Sequence, residues 1–333
     1  MSEPKLGPPE DGKYSAQSNA AKRENEMNTK SWNLAARQFA WISLCCLFFF
    51  ALAARAQSDL NGVIDIHAHS GPDSTPRSID AIDLARLAKQ RGMRGLVLKN
   101  HYESTAALAY VVREEVPGIE IFGGIDLNLT VGGINPAAVE RMTMMKGGWG
   151  KVVWMPTYDN ENQVRSSKEN RPYISISKDG HLLPEVVQVI DIVAKHQLLL
   201  ETGHSSPADG LLIVSEAHKR GVQHIVVTHA MSSVVRMTIP QMQQAARDGA
   251  FIEFVYSATL GSNPVSTIPD FAKAIRAIGP AYCILASDLG QPANPVHPDG
   301  LALFFQALRK EGISQADIDL MSKTNPAKAL GLQ

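Results

Sequence analysis

Eight short runs of β-branched and other apolar residues recur from residue 61 onward, and they constrain the fold more than any other feature of the chain. They read as strands at 63–69 (VIDIHAH), 95–101 (GLVLKNH), 120–128 (EIFGGIDLN), 151–159 (KVVWMPTYD), 198–204 (LLLETGH), 224–230 (HIVVTHA), 251–257 (FIEFVYS) and 283–289 (CILASDL). Between them, apolar residues recur at three- and four-residue spacing. Residues 79–92 and 209–221 each end in a glycine stop, and residues 184–196 open with a proline suited to a first helical turn. A strand–helix unit repeated eight times predicts a parallel α/β fold. Eight such units close a (β/α)8 TIM barrel more readily than they leave an open sheet. A GxGxxG after the first strand and a GxxxxGK[ST] anywhere are both lacking, which argues against Rossmann and P-loop folds. The polar stretch 159–183 reads either as an insertion over the barrel mouth or as a surface loop without a role.

The first residues follow other rules. Residues 1–36 are polar and aperiodic and are expected to form a disordered leader, with Met27 as an alternative start. Residues 37–56 read as a secretory signal peptide. Arg37 is the basic flank, and the apolar core from Phe39 to Ala54 is shorter than the roughly 20 residues of a spanning helix. Ala54-Arg55-Ala56 then makes a small-x-small cleavage pattern. An uncleaved anchor is the alternative. The expectation is an exported barrel, periplasmic or secreted, covering 57–333 and without stable membrane insertion after cleavage. Cys45 and Cys46 fall in the signal core, so Cys283 is left alone and no internal disulfide is expected. A chain of 333 residues with a net charge of -1 has no basic excess to neutralise phosphates, so no nucleic-acid partner is expected. A small-molecule substrate is, and homo-oligomerisation is left open.

Polar residues cluster at the carboxyl ends of the predicted strands: His67 and His69 on the first, Lys99 and His101 on the second, His204 on the fifth, His229 on the sixth and Asp288 on the eighth. In a (β/α)8 barrel these ends form one rim, where active sites are built. Residues two apart on a strand point to the same face, so His67 and His69 can converge on the axis together. Imidazole and carboxylate are the preferred ligands of zinc and related divalent ions. One buried histidine is ordinary core. Four histidines and an aspartate at matching ends of four strands are not.

With those residues in place, the pattern resembles the amidohydrolase superfamily of metal-dependent (β/α)8 hydrolases, as an uncharacterised branch. HxH closes strand one, single histidines close strands five and six, an aspartate closes strand eight, and TNPAKALGL resembles that superfamily's common ending. The resemblance covers about 61–333. It implies that His67, His69 and Asp288 bind one divalent ion, most simply Zn2+. His204 and His229 bind a second, or share the first while one of them polarises the substrate. Asp288 accepts the proton of the attacking water, and Asp288 and His229 are the implied catalytic pair.

The sequence departs from that superfamily at strand four, which ends in WMPTYD without the bridging lysine or glutamate of two-ion members. One ion is therefore slightly favoured over two. Lys99 is read as a substrate contact or as the ion-pair partner of an acid such as Asp65, ahead of a bridging role. His101, Asp73, Arg77 and His297 are further substrate-binding candidates. Glu201, three residues before His204, is expected to face the helical shell. The expected function is hydrolysis of an amide, ester, lactone or related bond. The alternatives are decarboxylation on the same constellation, or a non-catalytic exported barrel that binds metal or ligand.

Overall fold

The computed structural model describes residue 1, residues 60–261 and residues 264–332. The expected leader and signal peptide fall at positions outside the described residues.

All eight strands form, and their order around the sheet follows the chain. They are β1 (Ile64–His69), β2 (Gly95–Lys99), β3 (Glu120–Asp126), β4 (Gly150–Trp154), β5 (Leu199–Glu201), β6 (Ile225–Val227), β7 (Phe251–Val255) and β8 (Cys283–Ala286). Neighbouring strands pair in parallel. The ring closes just beyond β8, where the Leu289 carbonyl accepts from the His69 N–H at 3.0 Å and Ala68 pairs in parallel with Leu289. Each strand is followed by a barrel helix: α1 (Ala81–Gln90), α2 (Ala106–Glu115), α3 (Pro136–Thr143), α4 (Pro184–His196), α5 (Pro207–Lys219), α6 (Ile239–Arg247), α7 (Ile268–Ile278) and α8 (His297–Lys310). Among the described residues no helix is long and apolar enough to cross a membrane. The architecture is the expected (β/α)8 barrel.

Two apolar layers divide the strand residues. Leu96, Leu98, Val153, Leu200, Val227 and Leu285 pack outward with the helices. Ile64, Ile66, Val97, Phe122, Val152, Leu199 and Ile284 fill the barrel, joined by Ala327, Ala329 and Leu330 of the chain end. Asn325 fixes that ending by donating to the carbonyls of Pro280 and Cys283 at the foot of β8. This is the structural use of the TNPAKALGL segment.

The observed strands end earlier than the apolar runs predict, because the backbone leaves the ladder to turn polar side chains over the mouth. β5 stops at Glu201, and Gly203 turns with φ 62°, where an added Cβ would stand 2.1 Å from the Met155 carbonyl oxygen. His229 and Asp288 hold φ values of 26° and 48°, a region that residues with side chains seldom adopt.

A bulge decides which way β1 faces. Ile64 and Asp65 pair with Gly95 and Leu96, whereas Ala68 and His69 pair with Leu98 and Lys99, so β1 spends one residue more than β2 over that span. Ile64 and Ile66 thus face the barrel interior, and His67 and His69 do as well. Asp65 pins the bulge: its Oδ1 accepts from the backbone N–H groups of His67 (3.2 Å) and Ser287 (3.0 Å).

The 159–183 stretch is an ordered insertion, with a short helix at Glu161–Ser166 and a hairpin pairing Ser177–Lys178 with His181–Leu182. Asn160 caps the helix by accepting from the Asn162 N–H.

Candidate metal centre

Five imidazoles stand in a closed ring around the barrel mouth. Successive ring centroids are 5.4 Å apart for His67–His69, 4.7 Å for His69–His101, 6.2 Å for His101–His204, 4.8 Å for His204–His229 and 5.8 Å for His229–His67. Asp288 enters this ring with Oδ1 3.2 Å from both His67 Nε2 and His69 Nε2. All six residues line one cavity of about 600 Å³.

Four of the five rings are engaged from behind at Nδ1, while His69 Nδ1 has no hydrogen-bond partner among the described residues. His67 Nδ1 donates to Glu253 Oε1 at 3.1 Å, His101 Nδ1 donates to Asp126 Oδ2 at 3.0 Å, and His204 Nδ1 donates to Gln163 Oε1 at 2.8 Å. Ser232 Oγ lies 3.0 Å from His229 Nδ1. For His67, His101 and His204 the acceptor on Nδ1 fixes the tautomer whose Nε2 lone pair is free toward the cavity, the arrangement found behind metal-binding histidines. Asp288 is oriented in the same way, since Ser257 Oγ donates to its Oδ2 at 2.8 Å.

The donor set fits a divalent cation. Donors about 2.0–2.1 Å from a tetrahedral ion stand about 3.3 Å apart, and the carboxylate oxygen of Asp288 keeps that spacing to two imidazole nitrogens. His67, His69 and Asp288 all bring a ligand atom within 4.8 Å of one another. Glu201 and Glu253 also approach His67 within that limit. The hydrogen bond from Nδ1 to Glu253 nonetheless leaves Nε2 as the nitrogen that faces the cavity.

Burial sets the charge states. It holds His69 and His204 well below the usual imidazole range, lowers His101, and takes His229 to about 4. Burial and the Lys99 cation oppose a charge on His67, but the carboxylates of Asp288 and Glu253 outweigh them and lift it to about 10, so that Nε2 carries a proton which a bound cation would displace. Asp288 is likewise held well below the carboxylate range by His67 and His69, against the cost of burial.

The sequence-derived candidates divide on this geometry. His67, His69, His204, His229 and Asp288 come together, with His101 as a fifth imidazole beside them. Arg77 also lines the cavity, at its rim. Lys99 does not. It is fully buried below the ring, with Nζ 4.5 Å from the Trp154 ring centroid and 3.7 Å from Asp126 Oδ1, so its acid is Asp126 and not Asp65. Asp73 stays behind the wall and pairs with Arg77. His297 is fully buried at the start of α8, where burial pushes its imidazole down to about 4. Lys99, Asp73 and His297 are thus not among the residues that line the cavity, and for Lys99 the geometry is that of an ion pair. The expectation for Glu201 is corrected: with Leu199 it faces the barrel interior, where Thr228 Oγ1 donates to its Oε2 at 2.9 Å. Reckoning back from His204 fails because Gly203 breaks the strand alternation between the two residues.

Sequence reasoning missed the supporting groups. Glu253 is the acidic residue inside the apolar run FIEFV, and that isolation was its signal. Asp126, at the end of β3, gave a weaker one. Gln163 gave none, because the insertion that carries it has no periodic pattern.

The family model described as "Family of unknown function (DUF6282)" matches residues 62–253, more than half of the chain. The match includes the five histidines of the ring and Glu253 and ends before Asp288. No curated protein matches the sequence. Among solved structures, an amidohydrolase from Pseudomonas aeruginosa superposes with a TM-score of 0.56 at 12% identity, over 83% of this chain and 97% of that one. A variant of the organophosphorus hydrolase from Deinococcus radiodurans gives a TM-score of 0.56 at 16% identity, over 82% and 94%. An amidohydrolase from Burkholderia multivorans gives 0.54 at 14% identity, over 81% and 99%. These similarities place the chain in the barrel fold used by amidohydrolases, as the HxH pattern led us to expect.

Proposed function

The chain belongs to the family described as a family of unknown function (DUF6282), and on that premise we propose that it is a metal-dependent hydrolase cleaving an amide, ester, lactone or related bond in a small molecule. The observation that carries this reading is the placement of Asp288 Oδ1 3.2 Å from two imidazole Nε2 atoms on the floor of a solvent-accessible cavity. The fold itself does not choose the bond, since function resides in the site grafted on it.

His67, His69 and Asp288 would hold the first divalent ion, with zinc suited to this nitrogen and oxygen set. His204 and His229 would complete its surroundings or hold a second. An ion bound there would lower the pKa of water from about 15.7 toward about 7. The rest falls to the chain. Asp288 accepts the proton released by the attacking water, with Ser257 keeping its carboxylate turned toward the histidines. With Ser232 Oγ donating to its Nδ1, His229 would turn Nε2–H toward the oxygen under attack and polarise it, and Glu253 and Gln163 hold His67 and His204 in register. Trp154 ends β4, where two-ion barrels carry a bridging lysine or glutamate, and this favours a single ion.

The experiment is elemental analysis of the purified protein joined to a screen of esters, lactones and amides with and without chelator. We expect one or two equivalents of a divalent metal, and hydrolysis that chelation removes. A protein that neither retains metal nor gains activity on adding zinc or manganese would refute the reading.

A further inference from the structure

Apart from the imidazole ring, the described residues that line the cavity include a single basic side chain, Arg77. Of the cavity's lining residues, Arg77 and Asp288 are the two of the Lys, Arg, Asp and Glu types among the described residues. Asp288 belongs to the metal centre, which leaves Arg77 to act on whatever enters the mouth.

Arg77 is built in place. Its side chain is 7% exposed, and both Nε and Nη2 lie 2.7 Å from the same oxygen, Asp73 Oδ2. Asp73 is fixed in turn by the Thr75 N–H, which donates to its Oδ1 at 3.0 Å. Asp73 is therefore a buried brace. It occupies one edge of the guanidinium and leaves Nη1 without a hydrogen-bond partner among the described residues. A planar guanidinium with a free edge matches a carboxylate, and the ordering cost is already met by the brace.

The adjoining wall is aromatic. The Tyr102 and Tyr158 rings lie nearly parallel, 10° apart in plane, with centroids 6.4 Å apart. Tyr158 also abuts His101 edge-on at 4.3 Å. Both rings line the cavity with Arg77, and aromatic side chains there can pack against a flat ligand.

We propose that the substrate is a small, planar, aromatic or conjugated acid derivative, whose free carboxylate is held by the open edge of Arg77 while its flat body lies along Tyr102 and Tyr158. This rests on the hydrolase reading for the bond that is cleaved, but the recognition element stands on its own geometry. Arg77 sets specificity by orienting the ligand, and the metal centre works on the far end of the molecule.

Benzoate and its neutral isostere benzamide test this by calorimetry on the metal-loaded protein. Wild type should bind benzoate at least about tenfold more tightly than benzamide, the scale of a hydrogen bond to a charged group. R77Q should weaken benzoate by at least about tenfold and bring the ratio near one. R77K keeps the charge and loses the fork, so it should fall between the two. A thermal melt on each variant confirms that it is folded. Equal binding of the two probes by wild type, or undiminished benzoate binding in R77Q or R77K, overturns the proposal, because a carboxylate resting on the metal instead would not notice residue 77. Hydrolysis of neutral phenyl acetate, measured on wild type alone, tests the hydrolase reading separately, so that the failure of one does not imply failure of the other.

Discussion

Asp288 is tied to His67 twice: its backbone N–H donates to the His67 carbonyl at 2.9 Å, and its Oδ1 stands 3.2 Å from His67 Nε2. The first contact closes the barrel between its last and first strands. The second joins the two halves of the candidate metal centre, so a single seam serves both. Residues far apart in sequence meet there only when the barrel has closed, and ion binding should therefore stabilise the closed form.

The metal assignment is tested most directly by H67A/H69A. Both imidazoles present Nε2 to Asp288, so the double variant should purify without a stoichiometric divalent ion. Elemental analysis giving wild-type metal content would refute the ligand set.

Asp288→Asn keeps the shape of the side chain and removes its basicity. The variant is expected to fold, to retain much of its metal, and to lose turnover by at least about 100-fold, the lower end for general-base catalysis. Near wild-type turnover would show that Asp288 is not the proton acceptor.

Glu253 touches the metal centre through His67 Nδ1 and also accepts the backbone N–H of His229 at 2.7 Å. Glu253→Gln should therefore weaken metal affinity by about 10- to 100-fold, the usual cost of losing an outer partner of a ligating histidine. Competition with a chromophoric chelator measures it. Unchanged affinity would make the contact incidental.

Burial, reinforced by the neighbouring Glu253 carboxylate, raises Glu201 from its ordinary 4.5 to about 8. A group raised on folding contributes stability that is complete below its unfolded value and is lost as the pH climbs through its folded one. In chelator-treated protein, the unfolding free energy of wild type should fall more between pH 5 and pH 9 than that of Glu201→Gln. Parallel denaturation curves across that range would rule out a buried, protonated Glu201.

Export rests on residues 37–56 alone. Peptide mapping of the protein from its native cells should place the first residue near Gln57, and a full-length chain in the cytosol would exclude cleavage.

The sequence by itself determined the eight strand–helix units, because apolar periodicity is a local property that burial enforces strand by strand. It also singled out the residues that meet at the barrel mouth, since a histidine or aspartate at the end of an apolar run has no packing reason to be there. Other features depended on tertiary structure. The period of two puts His67 and His69 on one face but cannot say which. With Ile64 and Ile66 inside, plain alternation would turn both histidines outward, and the bulge pinned by Asp65 reverses that. Glu201 was misplaced for a related reason: the side a residue takes depends on where the strand ends and where the backbone turns, and Gly203, His229 and Asp288 turn it with φ values that no pattern of residue types announces. The braces behind the site, Glu253 for His67 and Asp73 for Arg77, are hydrogen bonds fixed by distance in space. Glu253 lies 186 residues from His67 in sequence, and only closure of the barrel brings them together.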